Sequence, residues 1–166
     1  EMVKLYREGN RILFLCGGET FLWQDGDRTI RDVVAEAKRI GFYLVNIVTN
    51  GLALVDIPEA DVIFLSIDGM KKNHDCIRGE TFDRILERVR NTRTANICVY
   101  MAVNSINHED IEPLTRLVNS EKRLHSISFN FHTPYPGTEY LSLTDDQKRK
   151  AVETIRRMID EKMPVF

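Results

Sequence analysis

Gly17, Gly18 and Glu19 close the apolar run Leu13, Phe14, Leu15, Cys16. Glycines at the end of such a run let a ligand approach the main chain closely, because no Cβ atom stands in the way. A carboxylate at that lip suits an ammonium group, since a charge-assisted hydrogen bond is roughly twice as strong as a neutral one. A phosphate does not suit it. Polar residues recur at the ends of later apolar runs: Thr49, Asn50 and Gly51; Ser66 and Asp68 before Gly69; Asn104 and Ser105; and His132. Ser66 and Asp68 can form hydrogen bonds with hydroxyls or a carboxylate, and Arg78 can clamp a carboxylate with two parallel N–H donors. Taken singly, Gly17–Gly18–Glu19 reads as a tight turn with a solvated carboxylate, Asn50–Gly51 and Asp68–Gly69 as turns, and Arg78 as a solvated charge or a partner for Asp75; the recurrence of polar residues at strand ends shifts the balance toward a site.

Other chemistries lack their signatures. There is no G-x-G-x-x-G and no G-x-x-x-x-G-K-[ST], and no nucleophile elbow. His74, His108, His125 and His132 show no i, i+4 pairing, and Cys16, Cys76 and Cys98 are too far apart for a disulfide framework or a compact metal loop. Cys16 reads as core, His108 as a residue at the start of a helix, and Phe21, Leu22 and Trp23 as a packing anchor for their loop. The 23 Lys and Arg against 25 Asp and Glu leave a net charge of -2, which advertises no nucleic-acid partner. No run approaches the roughly 20 apolar residues of a membrane span, and the first ten residues carry no signal-peptide pattern, so a cytoplasmic protein is expected.

The elements that must position these groups alternate regularly. Met2–Glu8 reads as a helix, and the run from Arg11 as a strand buried on both faces. A loop with a turn at Asp25–Gly26–Asp27 leads to a helix with Ile30, Val33, Val34, Ala37 and Ile40 on one face, stopped by Gly41. Phe42–Val48 and Val62–Ile67 read as strands, separated by a connection over Leu52–Ala60. Met70–Glu80 reads as a polar loop before a helix bearing Phe82, Ile85, Leu86 and Val89. Asn96–Val103 and Ser126–Phe131 are further strands, flanking a helix that begins near His108 or Glu109. The last helix opens on a capping box, Thr144 with Gln147, and buries Ala151, Val152, Ile155, Met158 and Ile159. Pro164–Phe166 reads as the start of another strand. This order predicts one α/β domain over residues 1–166, with a parallel sheet, outer helices, and a ligand beyond the carboxyl ends of the strands.

The ordered set Gly17–Gly18–Glu19, Thr49–Asn50–Gly51 and Ser66–Ile67–Asp68–Gly69 resembles the radical S-adenosylmethionine (radical SAM) superfamily core, and the likeness runs from about Arg11 to Phe166. The resemblance implies a partial (β/α)6 TIM-like barrel lacking its first strand, and a parent enzyme whose [4Fe-4S] cluster cleaves S-adenosylmethionine (SAM) to start radical chemistry. It implies that Gly17, Gly18 and Glu19 receive the methionine ammonium of SAM. Ser66 and Asp68 would lie near its ribose or carboxylate, Arg78 near the carboxylate and Asn104 near the ribose. The loop from His132 would face the adenine, while Thr49, Asn50 and Gly51 shape the main chain. Two features depart from the family: Thr20 stands where Pro is usual, and the CxxxCxxC cluster loop is absent. The expectation is a truncated, inactive core with no metal ligands of its own and an exposed sheet edge that self-associates. A non-catalytic α/β domain binding a small nucleotide or amino-acid-like ligand is the alternative.

Overall fold

The β-branched and aromatic runs pair side by side, and the helical stripes cover one side of what they form. The computed structural model describes residues 1–53, 56–94 and 96–166, so Leu54 and Val55 of the expected Leu52–Ala60 connection, like Ala95, lie outside the described residues. Helix α1 (Met2–Arg7) precedes strand β1 (Ile12–Leu15). A small antiparallel hairpin, β2 (Gln24–Asp25) and β3 (Arg28–Thr29), turns at Gly26 and Asp27 and leads into α2 (Ile30–Ile40). There follow β4 (Leu44–Thr49), β5 (Val62–Ser66), α3 (Lys71–Arg78), α4 (Phe82–Asn91), β6 (Ile97–Val103), α5 (Ile111–Ser120), β7 (Leu124–Phe131) and α6 (Asp145–Asp160). The main sheet is parallel, in the order β1-β4-β5-β6-β7. Sequence order is spatial order, the topology of a barrel wall that here remains open. Val165 extends the sheet by a parallel bridge to Ile127, as the strand reading of Pro164–Phe166 anticipates.

Register separates the two faces, because successive side chains along a strand point to opposite sides. Ile47, Ile63 and Ile97 form one transverse row, and Thr49, Leu65, Val99 and Ile127 the next, all buried on the face the helices cover. The opposite, inner face carries Phe14, Asn46 and Val62 in one row, then Val48, Phe64, Cys98 and Ser126, then Ser66, Tyr100 and Ser128. Phe14, Phe64 and Tyr100 contact one another along it, with ring centroids 5.8 and 6.2 Å apart. Helices α5 and α6 are laced by Glu112, which binds Arg157 at 2.6 Å and Arg116 at 2.8 Å. Those two guanidinium groups hold the Glu112 carboxyl down at about 2, but such exposed pairs add little stability.

Several sequence readings are corrected. β1 is not buried on both faces: it is an edge strand, and Ile12 and Phe14 are 51% and 55% exposed because, among the described residues, no element covers the inner face there. Cys16 lies beyond the end of β1 and is exposed rather than core. The expected Met70–Glu80 loop contains α3, whose only buried residue is His74, so no apolar stripe announced it. Val152 and Ile159 face outward on α6, where Ala151 and Met158 alone are buried. The Thr144–Gln147 capping box forms as read.

The turn after β5 depends on Gly69, whose φ is +115°. A Cβ there would meet Asp110 Oδ2 at 2.5 Å, and that oxygen is fixed by the main-chain N–H of Met70 and the amide of Asn73, both at 2.8 Å. Gly69→Ala is expected to cost about 2–3 kcal/mol in urea unfolding, from overpacking and left-handed strain together. Gly79→Ala, at φ +78° with nothing within 4 Å, serves as the control and is expected to cost about 1 kcal/mol.

Candidate functional site

Glu19 sits where the expectation puts it, at the carboxyl edge of the sheet, and its carboxylate is gripped by the neighbouring strand. The Thr49 hydroxyl donates to Oε1 at 2.6 Å, the Asn50 N–H donates to Oε2 at 2.8 Å, and the Phe21 N–H donates to Oε1 at 3.2 Å. Two carboxylate oxygens offer about four acceptor sites, so three donors leave room for one more. The Phe21 bond caps the short 3-10 turn Thr20–Leu22. The Thr20 hydroxyl donates to Val48 O at 2.8 Å and so ties the loop to β4. A side-chain hydroxyl of this loop is thus anchored on the neighbouring strand's main chain.

Above Gly17 and Gly18 a Cβ would meet nothing within 4 Å, and a cavity of about 400 Å³ opens beside them, lined by Leu15–Thr20, Trp23, Ile30 and Val33. Phe21 packs onto the core, but Leu22 and Trp23 are largely exposed, so the anchor of this loop is Phe21 alone. Asn50 is the turn residue of its simpler reading: its Oδ1 accepts from Leu52 N–H at 2.8 Å, and its main chain reaches Glu19.

A second cluster forms at the ends of β5 and β6. Asp68 is 2% exposed, and its carboxylate accepts from Ala102 N–H at 2.8 Å while pairing with Arg78. Arg78 therefore partners Asp68 rather than Asp75. Asp75 instead accepts the N–H groups of Phe82 and Thr81 at the start of α4, which lowers its pKa, and salt-bridges Lys71 at 3.6 Å. Ser66 lies on the inner face opposite Tyr100 and is nearly buried. The Asn104 side chain is occupied by its own turn: Oδ1 accepts from Ile106 N–H at 2.9 Å, and the amide donates to Ala102 O at 3.1 Å.

Two residues outside the candidate set hold this cluster together. Asn107, fully buried, donates to Asp68 O at 3.2 Å and Ala102 O at 2.9 Å and accepts from Asn104 N–H at 2.7 Å. His74 accepts from Asp68 N–H at 3.1 Å. Neither announces itself in sequence, because an isolated Asn or His carries no periodicity. Asn46 Oδ1 on the inner face and His132 Nε2 just past the end of β7 are buried without a hydrogen-bond partner among the described residues. The main-chain N–H of His132 donates to Val103 O at 2.8 Å, which sets that side chain beside the Asn104 turn.

The donor set is suited to a ligand with an ammonium group, a carboxylate and hydroxyls: a carboxylate with spare acceptor capacity, a buried Asp68 paired with a solvent-reachable Arg78, and an unpaired imidazole nitrogen. A [4Fe-4S] cluster does not fit these residues. Cys16 and Cys76 are exposed on separate elements, burial raises the Cys98 thiol, and among the described residues no three His, Cys, Asp or Glu stand close enough to hold a metal. No described helix is long and apolar enough to cross a membrane.

No protein-family model and no curated protein matches the sequence. Solved structures do match. Streptococcus suis SuiB bound to S-adenosylmethionine superposes with a TM-score of 0.70 at 13% identity, over 98% of this chain and 41% of that one. A domain of pyruvate-formate lyase-activating enzyme from Bacteroides vulgatus superposes with a TM-score of 0.66 at 13% identity, over 95% of this chain and 98% of that one. Native anSMEcpe with bound AdoMet and a Cp18Cys peptide gives 0.64 at 14% identity, over 99% and 53%. The chain thus spans under half the length of SuiB and about half that of anSMEcpe. At these identities the likeness is one of fold, and it is the fold the sequence resemblance implies: an α/β chain with a parallel, helix-backed wall, its barrel not closed.

Proposed function

We propose that this chain is the SAM-binding part of a radical SAM enzyme core. The methionine ammonium lies against Glu19 beside Gly17 and Gly18, the carboxylate and ribose near Arg78, Asp68, Ser66 and Asn104, and the adenine toward the loop from His132. The observation that carries the reading is Glu19 itself, a carboxylate fixed by three donors with acceptor capacity left over, beside glycines whose main chain is open. The fold neighbours bound to SAM support it. Asn50 and Asn104 shape the main chain in this reading more than they touch ligand, because their side-chain oxygens are already used. The cluster belongs to the parent protein, since the thiols of this chain do not fit one, and SAM cleavage is assigned to no residue here. The chain alone binds SAM without turning it over. Its three free thiols accord with the reducing conditions of a cytoplasm.

The same cysteine placement favours a second reading, a binding domain with no radical chemistry. Full-length protein prepared without oxygen separates the two: brown colour and bound iron support the enzyme, and a colourless protein that still binds SAM supports the binding domain.

Trp23 is the only tryptophan and lines the cavity beside the glycines. Titration with SAM is expected to change its fluorescence, and Glu19→Gln to weaken binding about tenfold by removing a charge-assisted bond. Absence of saturable binding to the folded wild-type chain overturns the assignment.

We also propose that the free edge of β1, flanked by exposed Ile12 and Phe14, pairs with a second copy. Sedimentation is expected to show concentration-dependent dimers that Phe14→Lys converts to monomers. A wild-type chain that stays monomeric at every concentration contradicts the pairing.

A further inference from the structure

Arg78 lies one helical turn beyond His74, so both reach Asp68 from the same face of α3, one gripping its carboxylate and the other its main chain. His74 is completely buried, with Phe82 edge-on to its ring at 5.6 Å. Its Nδ1 accepts the Asp68 N–H and so carries no proton. In a neutral ring the proton is then on Nε2, which donates to Thr81 Oγ1 at 3.0 Å. The Thr81 hydroxyl passes the chain on to Gly79 O at 3.3 Å. One tautomer therefore bolts the end of β5 to the beginning of α4, with the Asp68–Arg78 pair fixed between them.

We propose that His74 is the positioning residue of the site, its Nε2–H tautomer setting where the Asp68–Arg78 pair stands to meet the ligand. The inference rests on the SAM reading for the identity of that ligand. Protonation of the ring would set Nδ1–H against the Asp68 N–H and release the strand end. The charged groups facing the ring are Asp68 from the end of β5 and Asp75 and Arg78 from α3; α4 presents the uncharged Thr81 and Phe82, and Asp110 reaches the start of α3 through Met70 and Asn73. Burial, aided by Arg78, outweighs the two carboxylates and holds the imidazole below its ordinary value. Because the unfolded chain then takes up its proton first, the contribution of His74 to stability is complete above the ordinary histidine pKa and is lost as pH falls from there through the lowered value of the folded ring.

The test uses the full chain with 15N-labelled histidine, with NMR at pH 7.5 expected to show His74 Nε2 protonated and Nδ1 bare. His74→Asn keeps an acceptor for the Asp68 N–H and is expected to bind SAM within about threefold of wild type, whereas His74→Gln keeps only the donor toward Thr81 and is expected to lose about tenfold. Wild-type affinity should hold through the ordinary histidine range and fall only at the lower pH where the buried ring takes up its proton, and that of His74→Asn should not fall there. A proton on Nδ1, or equal binding by the two variants, overturns the proposal. If the wild-type chain binds no SAM, the functional reading fails separately and Asp68 amide exchange decides the positioning role. Exchange about tenfold faster in His74→Gln than in His74→Asn supports it, and equal rates overturn it.

Discussion

A carboxylate taken out of water must be met by donors or it destabilises the fold that buries it. Asp68 meets that requirement with groups drawn from across the chain. Its side chain takes Ala102 from β6 and Arg78 from α3, and its main chain takes His74 and Asn107. The elements that converge on it are therefore the ends of β5 and β6, helix α3 and the turn after β6. Gly69 follows because the chain must turn at once beneath Asp110, where a side chain has no room. Asp68 is the buried member of the pair and Arg78 reaches solvent, so the pair is a weak source of net stability, but removing Arg78 strands the buried Asp68 charge and the pair therefore fixes geometry strongly.

Glu19 applies the same physics beyond the end of β1. It is less buried, and its donors come from the end of β4 and from its own loop, so it joins neighbouring strands rather than distant segments. The difference matters for function. Asp68 is nearly saturated by protein partners and orients Arg78, whereas Glu19 retains acceptor capacity and faces open main chain.

Among the described residues, the sheet between these anchors is covered on one side only. On the helical face, rows of Ile, Leu and Val exclude water in the ordinary way of a parallel sheet. On the inner face the aromatic line from Phe14 to Tyr100 stays partly exposed, and the only two buried polar side-chain atoms without partners among the described residues, Asn46 Oδ1 and His132 Nε2, both lie there or at its carboxyl end. That distribution is expected where a sheet is finished by something laid against it.

Local periodicity determined much of this protein. The alternation of strands and helices, the parallel sheet, the capping box at Thr144, and the positions of Glu19 and Asp68 at strand ends follow from residue type and spacing, which act over a few residues. α3 escaped because a helix that buries only His74 has no stripe to read. Strand runs say nothing about which strand lies at an edge, so β1 read as fully buried although Ile12 and Phe14 are open. Tertiary structure alone decided the partners. That Arg78 answers Asp68, that Thr49 answers Glu19, that Asn104 is spent on its own turn, and that Asn107 and His74 hold the site all depend on contacts between segments brought together by the fold. Hydrogen bonds have directions and lengths that sequence spacing does not carry, so the motif residues were legible while the network that gives them their geometry was not.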